Sequence, residues 1–152
     1  MLFRSTANLG LDNDTITILT SGNSVISGEE GNDIIYAGSG NDTLSGNSGN
    51  DTLDGGTGTD TADYSTAAAG VTASLLAGSA SDDGDGGTDT FVSIENLTGS
   101  AFNDTLTGNG SANVITGGAG VDTMDGGAGN DTFNLANGDF AAGESITGGA
   151  NS

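Results

Sequence analysis

The chain reads Gly-Glu-Glu-Gly-Asn-Asp-Ile-Ile-Tyr (28–36), Ala-Gly-Ser-Gly-Asn-Asp-Thr-Leu-Ser (37–45), Gly-Asn-Ser-Gly-Asn-Asp-Thr-Leu-Asp (46–54) and Gly-Gly-Thr-Gly-Thr-Asp-Thr-Ala-Asp (55–63), and this run of nine-residue repeats decides its fold. The same period returns in Gly-Gly-Ala-Gly-Val-Asp-Thr-Met-Asp (117–125) and Gly-Gly-Ala-Gly-Asn-Asp-Thr-Phe-Asn (126–134). Each repeat places a glycine-rich half turn before an aspartate, and an apolar residue two positions after it. A fixed short period of this kind indicates a solenoid in which every repeat forms one turn and one short strand.

The repeats predict an all-β fold in which two of them complete one coil of eighteen residues. We expect a right-handed parallel β-roll, a β-solenoid of nonapeptide repeats with two facing sheets, built as two blocks joined by an irregular spacer. One residue per repeat points inward and forms the expected core: Ile26, Ile35, Leu44, Leu53, Ala62, Leu106, Ile115, Met124 and Phe133. Burying one such side chain contributes about 1.5–3 kcal/mol, whereas ordering the backbone costs about 1–2 kcal/mol for every residue. A core this thin predicts that a further interaction holds the coils together.

The regularity of the repeats divides the chain into five segments. These are a weakly patterned N-terminal flank at 1–18, a first β-roll block at 19–63, a spacer with one or two strands and an acidic loop at 64–98, a second β-roll block at 99–134, and a degenerate, truncated next repeat at 135–152. We interpret Asp82, Asp83 and Asp85 of the acidic loop 81–89 as solvated, because Ser81 and Val92 stand where an EF-hand loop needs Asp and Glu. Residues 148–152 resemble a repeat that stops early, so we expect a longer parent chain.

The charge of the chain is extreme, since 21 acidic residues face a single basic one and the formal net charge is −20. Composition alone predicts disorder, so the repeats can fold only if a cation neutralises the acids. The lack of a basic patch argues against nucleic acid and anionic membrane surfaces as partners. No apolar run approaches the ~20 residues of a membrane-spanning helix, so we expect no membrane insertion. Because His and Cys are absent from the sequence, the ordinary nucleophile–base pairs cannot form, and we expect no enzymatic activity.

The aspartates of the repeats are candidate metal ligands. A spacing of eighteen places residues on the same edge of neighbouring coils and pairs Asp33 with Asp51, Asp42 with Asp60, Asp104 with Asp122, and Asn113 with Asp131. Two carboxylates with loop carbonyls suit calcium, whereas magnesium demands a tighter octahedron and zinc prefers His or Cys. Paired carboxylates also hydrolyse glycosides, but the metal-ligand interpretation explains the period better. The sequence therefore predicts about three to four calcium ions.

These repeats resemble the repeats-in-toxin (RTX) family of haemolysin-type calcium-binding nonapeptides, closely over 28–63 and 99–134. The resemblance implies that each ion lies between two loops, with carbonyls from positions two and four of the earlier loop and from positions one and three of the later loop, plus both aspartates. The implied ligands of the first ion are Glu29, Gly31, Asp33, Gly46, Ser48 and Asp51, and those of the second are Gly38, Gly40, Asp42, Gly55, Thr57 and Asp60. The third ion takes Ser100, Phe102, Asp104, Gly117, Ala119 and Asp122, and the fourth takes Asn109, Ser111, Asn113, Gly126, Ala128 and Asp131. Phe102 and Ser111 replace a family glycine and Asn113 carries no charge, so we expect weaker binding in the second block.

The resemblance also implies a function. It indicates a calcium-binding structural module of a secreted bacterial protein, exported by a type I route, unfolded at low calcium and folded outside the cell. Three alternatives remain: the accessory C-terminal region of a secreted protease or lipase, a segment of an adhesin, and an ice-binding coil. An ice-binding coil needs an outward row of Thr at the third loop position, where this chain has residues such as Glu30, Ser39 and Ala101.

Overall fold

The structure, a computed structural model, describes residues 5–19, 21–135 and 144–149. In this part of the chain all regular structure is β-strand, numbered here in chain order and arranged in two sheets. The first sheet has the order β1 (Ser5–Gly10), β3 (Ser24–Glu30), β5 (Thr43–Ser48), β7 (Thr61–Asp63), β11 (Asn96–Thr98), β13 (Val114–Thr116) and β15 (Thr132–Asn134). The second sheet has the order β2 (Thr15–Thr17), β4 (Ile34–Tyr36), β6 (Thr52–Asp54), β10 (Asp89–Val92), β9 (Ser79–Asp82), β8 (Thr72–Ser74), β12 (Thr105–Asn109), β14 (Thr123–Gly127) and β16 (Ser145–Gly148). No helix occurs in the described ranges, and so none there could cross a membrane.

The strands stack in parallel with the register that the repeat length dictates. Ile26 of β3 lies beside Leu44 of β5, and Ile35 of β4 lies beside Leu53 of β6. The chain therefore alternates between the two sheets and climbs one strand spacing per coil, through about seven turns. The predicted all-β solenoid of parallel, stacked strands is confirmed.

The core contains a column of inward side chains from the short strands of the repeats, and residues outside the strands, such as Tyr64, Val71 and Ile94, add to it. Eight of the nine predicted core residues are fully buried, and their neighbours along the strands are half-buried or exposed because side chains of a strand alternate between its faces. Phe133 differs from the prediction, since it is only partly buried. It lies on β15, the edge strand of the first sheet, where no further described strand covers it.

The two repeat blocks form one continuous stack, because both sheets pass through the spacer. In the first sheet β7 pairs directly with β11, and in the second sheet β6 pairs with β10. Strand β9 then runs antiparallel between β10 and β8, and β8 pairs with β12 of the second block. Residues 64–98 thus contain four strands, whereas the sequence pattern predicts one or two.

The boundaries of the five predicted segments stay a prediction. The N-terminal flank contains β1 and β2, and the C-terminal segment contains β16. Residues 1–4, 20, 136–143 and 150–152, which include parts of both terminal segments, lie outside the described residues.

Candidate metal centre

A ladder of aspartates joins each coil to the next. The backbone N–H of Asp33 donates to Oδ1 of Asp51 over 2.8 Å, and the N–H of Asp42 donates to Oδ1 of Asp60 over 2.7 Å. The second block repeats this contact from Asp104 to Asp122 at 3.0 Å and from Asn113 to Asp131 at 2.9 Å. The structure therefore brings together all four pairs that the spacing of eighteen predicts.

A second ladder, made of asparagines, runs in the opposite direction. The N–H of Asn50 donates to Oδ1 of Asn32 at 2.7 Å, and the N–H of Thr59 donates to Oδ1 of Asn41 at 3.1 Å. The sequence-based prediction does not include this role, although an Asn precedes most of the repeat aspartates, at Asn32, Asn41, Asn50, Asn103 and Asn130. The two ladders together fix the spacing between successive loops, and so they hold the aspartates in line.

The aspartate ladder uses only one oxygen of each carboxylate in the first block. Oδ2 of Asp33, Asp42, Asp51 and Asp60 is buried and has no hydrogen-bond partner within the described ranges. A buried polar atom without a partner is costly, and a buried carboxylate without a countercharge is more costly still. Since the chain has one basic residue in all, these carboxylates need a proton or an external cation as their countercharge.

The pKa values of these carboxyls reflect the same environment. Burial raises the pKa of Asp51 to about 6, and the nearby charges of Asp33 and Asp83 add to the rise, while the N–H of Asp33 opposes it. Burial likewise raises the pKa of Asp60 to about 6 and raises the pKa of Asp33. Each group thus favours a positive ligand, either a proton in acid or a metal ion at neutral pH.

Backbone carbonyls approach these carboxylates from the next coil. The carbonyl oxygen of Gly46 and Oδ2 of Asp33 both border Gly28, where a β-carbon would lie 2.8 Å from the carbonyl oxygen and would overlap the carboxylate. Only glycine leaves this space open. The second block has the same juxtaposition of Gly117 with Asp104 and of Gly126 with Asn113.

The other predicted backbone ligands lie in the turns or at the adjoining strand ends. Glu29 has φ 76°, a conformation that a side-chain-bearing residue rarely adopts and that redirects its carbonyl. Several of these carbonyls already accept a hydrogen bond from the neighbouring loop: Gly38, Ser48, Thr57 and Asn109. The described contacts contain no such hydrogen bond to the carbonyl oxygens of the other predicted ligands in the loops, which are Gly31, Gly40, Gly55, Ser100, Phe102, Ser111, Ala119 and Ala128. A carbonyl oxygen has two lone pairs, so one hydrogen bond still leaves a site for a cation.

The second block differs from the first in how its acceptors are used. Ser100 donates its N–H to Oδ2 of Asp104 at 2.7 Å and its hydroxyl to Oδ1 at 2.8 Å. Asn113 accepts from the N–H of Asn109 at 2.8 Å, and its Nδ2 donates to the carbonyl of Glu95 at 2.7 Å. These two side chains are satisfied without a metal ion. The physical demand for a cation is therefore greatest in the first block.

The donor set fits calcium. Carboxylate and carbonyl oxygens are the ligands that calcium prefers, and a flexible arrangement of about six to eight oxygens suits it better than magnesium. No group of three or more acidic side chains in the described residues forms a ready metal centre. Any ion there must therefore take backbone carbonyls in addition to its two carboxylates, as the loops allow.

Three buried or bridging acids of the spacer are absent from the ligands predicted from the sequence. Asp89 accepts the N–H of Asp51 through Oδ1, and Glu95 accepts the N–H of Asp60 through Oε2 at 2.9 Å. They continue the aspartate ladder after intervals of 38 and 35 residues in place of eighteen. The signal was Asp89-Thr90-Phe91, which repeats the Asp-Thr-Leu pattern of the regular strands. Asp83 is the third, and its interpretation as solvated is wrong, because it is 0 % exposed.

The geometry defines a class of protein: a parallel β-solenoid whose loops offer buried carboxylates and carbonyls to a metal ion. The family pattern described as the RTX calcium-binding nonapeptide repeat, in four copies, matches residues 19–44, 27–62 and 98–133. The chain belongs to this family, so the resemblance is confirmed. Repeats of this family bind calcium and are structural elements. No curated protein matches the chain.

Proposed function

We propose that this chain is a structural module of a secreted bacterial protein, and that it folds outside the cell when calcium fills its loops. The observation that carries the proposal is the row of four buried Oδ2 atoms at Asp33, Asp42, Asp51 and Asp60, which find no partner among the described residues. At neutral pH these carboxylates repel one another along the stack, since unit charges interact at short range by about 1 kcal/mol even in water. Calcium reverses the sign of that interaction.

The proposal assigns about three to four ions to the four ligand sets given above, with the Asn113–Asp131 pair as the weakest. Extracellular calcium modules have dissociation constants of about 10⁻⁴–10⁻³ M. At ten times that concentration each ion stabilises the fold by about 1.4 kcal/mol, so four ions contribute about 6 kcal/mol. A small domain has a stability of about 5–15 kcal/mol in total, so this term decides whether the chain folds.

The module folds only where calcium is abundant, which supports a location outside the cell and passage through a type I route as an unfolded chain. Under this proposal the repeats have no catalytic role. Any activity of a parent protease, lipase or adhesin lies in other parts of a longer chain.

Far-UV circular dichroism with and without calcium tests the proposal. We expect a disordered spectrum after calcium is removed with excess EGTA, and a β-sheet spectrum after calcium is restored to about 10 mM. Magnesium at the same concentration is the control and should leave the chain disordered. A β-sheet spectrum that is unchanged by EGTA would refute calcium-dependent folding.

A further inference from the structure

The acidic loop of the spacer stacks on the repeat loop 46–51 as a regular repeat does. The N–H of Thr88 donates to Oδ1 of Asn50 at 3.0 Å, and the N–H of Thr90 donates to the carbonyl of Asp51 at 2.8 Å. Within the first block, Asn50 and Thr52 make the same contacts to Asn32 and Asp33, at 2.7 Å and 2.8 Å. Residues 83–89 of the spacer thus form a hidden repeat loop, which lies outside the residues that the family pattern matches.

Asp83 lies at the start of this hidden loop and is fully enclosed. Its Oδ1 accepts two backbone hydrogen bonds, from Asp85 at 2.7 Å and from Gly87 at 2.9 Å. Its Oδ2 is buried and has no hydrogen-bond partner within residues 5–19, 21–135 and 144–149. The four ions assigned above do not involve Asp83, so they leave this oxygen unexplained.

The unpartnered oxygen of Asp83 faces the loop below. Oδ2 of Asp83 and the carbonyl oxygen of Gly49 both border Gly87, where a β-carbon would lie 2.6 Å from the carboxylate and would overlap the carbonyl. Gly49 precedes Asp51 by two residues, and Oδ2 of Asp51 is a second buried oxygen without a described partner. Two carboxylates and a carbonyl from stacked loops are the kind of donor set that the regular pairs provide.

We propose that Asp83, the carbonyl of Gly49 and Asp51 hold an additional calcium ion between the spacer and the first repeat block. The ion would tie the hidden loop to the regular stack and so connect the two blocks. This inference rests on the proposed function, because it extends calcium binding from the matched repeats to the spacer.

The sharpest test compares Asp83→Asn with Asp82→Asn in the full chain. Asn retains Oδ1 for the N–H groups of Asp85 and Gly87 and loses only the anionic oxygen. Asp82 is exposed and its Oδ1 caps the N–H of Gly84, so Asp82→Asn removes the same charge one position away. Native mass spectrometry in calcium should count one ion fewer on Asp83→Asn than on the wild-type chain, and no fewer on Asp82→Asn.

The outcomes separate this inference from the proposed function. If the wild-type chain binds calcium and Asp83→Asn binds the same number of ions, the additional site is refuted while the regular sites stand. If the wild-type chain binds none, both proposals fail.

A second measurement decides the matter if Asp83→Asn does not fold. Crystals of the wild-type chain grown with calcium should show the anomalous signal of calcium at about 2.3–2.6 Å from Oδ2 of Asp83. Signals beside Asp33 and Asp42 with none beside Asp83 would overturn the inference and leave the proposed function intact.

Discussion

Replacing Asp42 by Asn should change the stability of the fold in opposite directions with and without calcium. Asp42 is 1 % exposed, and its Oδ1 accepts the N–H of Ser24 at 2.6 Å. Asn retains this acceptor and removes the charge from Oδ2, which has no partner in the described part of the chain. Leaving a buried polar group unsatisfied costs about 1–3 kcal/mol, and more if it is charged. Asn leaves a neutral NH₂ group in place of the anionic oxygen, so the gain is the difference between burying an unpaired charge and burying an unpaired amide. The calcium-free fold should therefore become more stable by about 1 kcal/mol.

In calcium the same substitution should remove the carboxylate that we propose as a ligand of the second ion. Loss of one ion lowers the stability by about 1.4 kcal/mol at ten times the dissociation constant, and by about 2.7 kcal/mol at a hundred times. The difference in unfolding free energy between the calcium-bound and calcium-free chains should thus become smaller for two reasons. The calcium-free fold becomes more stable, and the calcium-bound fold becomes less stable.

The assay follows folding by circular dichroism in two titrations. An osmolyte such as trimethylamine N-oxide favours the compact state without supplying a cation, so it measures the calcium-free fold in EGTA. Asp42→Asn should fold at a lower osmolyte concentration than the wild-type chain and should need more calcium in the second titration. Asp63→Asn is the matched control, because Asp63 caps the nearby N–H of Ser65 and removal of its charge should shift neither midpoint by much. A variant that is harder to fold in both titrations would refute the reasoning, since it would show that Asp42 stabilises the fold without a metal ion.

Three further perturbations test the core, the loops and the buried carboxyls. Leu53→Ala should lower the calcium-bound unfolding free energy in urea by about 2–5 kcal/mol because Leu53 is fully buried, whereas Leu76→Ala, at a site that is 76 % exposed, should change it by less than about 0.5 kcal/mol. Gly49→Ala should abolish calcium-induced folding because its β-carbon would overlap the carbonyl of the coil below. Gly86 also has a positive φ but open space around it, so Gly86→Ala should fold with a loss of about 1–2 kcal/mol; equal effects would contradict the stacking argument. Burial raises the folded-state pKa to about 6 for Asp51 and Asp60 and to about 7 for Asp89, against 3.8 for the free side chain. Their protonation therefore stabilises the calcium-free fold fully below pH ~4, and this contribution is lost as the pH rises through 6 to 7. Chain freed of metal on a chelating resin should show more β-structure at pH 5 than at pH 8, and its affinity for calcium should rise over the same interval; a calcium-free chain that folds better at pH 8 would contradict the assignment.

Much of the fold could be predicted from the repeats because the period ties chemistry to geometry. A spacing of eighteen brings Asp33 to Asp51 in any solenoid with two repeats per coil, and the structure has this contact at 2.8 Å. The inward column followed from the same period, except at Phe133, which lies on an edge strand. The assignment of ligands to individual ions stays a prediction.

The spacer could not be predicted in this way, because its contacts have no fixed period. Asp89 reaches Asp51 only after the chain has passed through β7 and the β8–β9 hairpin, an interval of 38 residues. No local pattern distinguishes Asp83, which is fully buried, from the exposed Asp82 beside it. The two residues differ in exposure because residues 84–89 pack on the repeat loop 46–51.

The sequence by itself determined the solenoid, its period, its thin core and its rows of acidic residues, because these depend on residues that recur at fixed intervals. The tertiary structure alone decided which carboxylate oxygens lack a partner. Asp42 and Asp104 occupy the same position of their repeats, yet Ser100 satisfies both oxygens of Asp104 while Oδ2 of Asp42 has no partner in the described contacts. The physical reason is that hydrogen bonding depends on how each loop folds and on which loop lies next to it. Ser100 belongs to the loop of Asp104 itself, whereas the loop that stacks next to Asp51 is a hidden spacer loop.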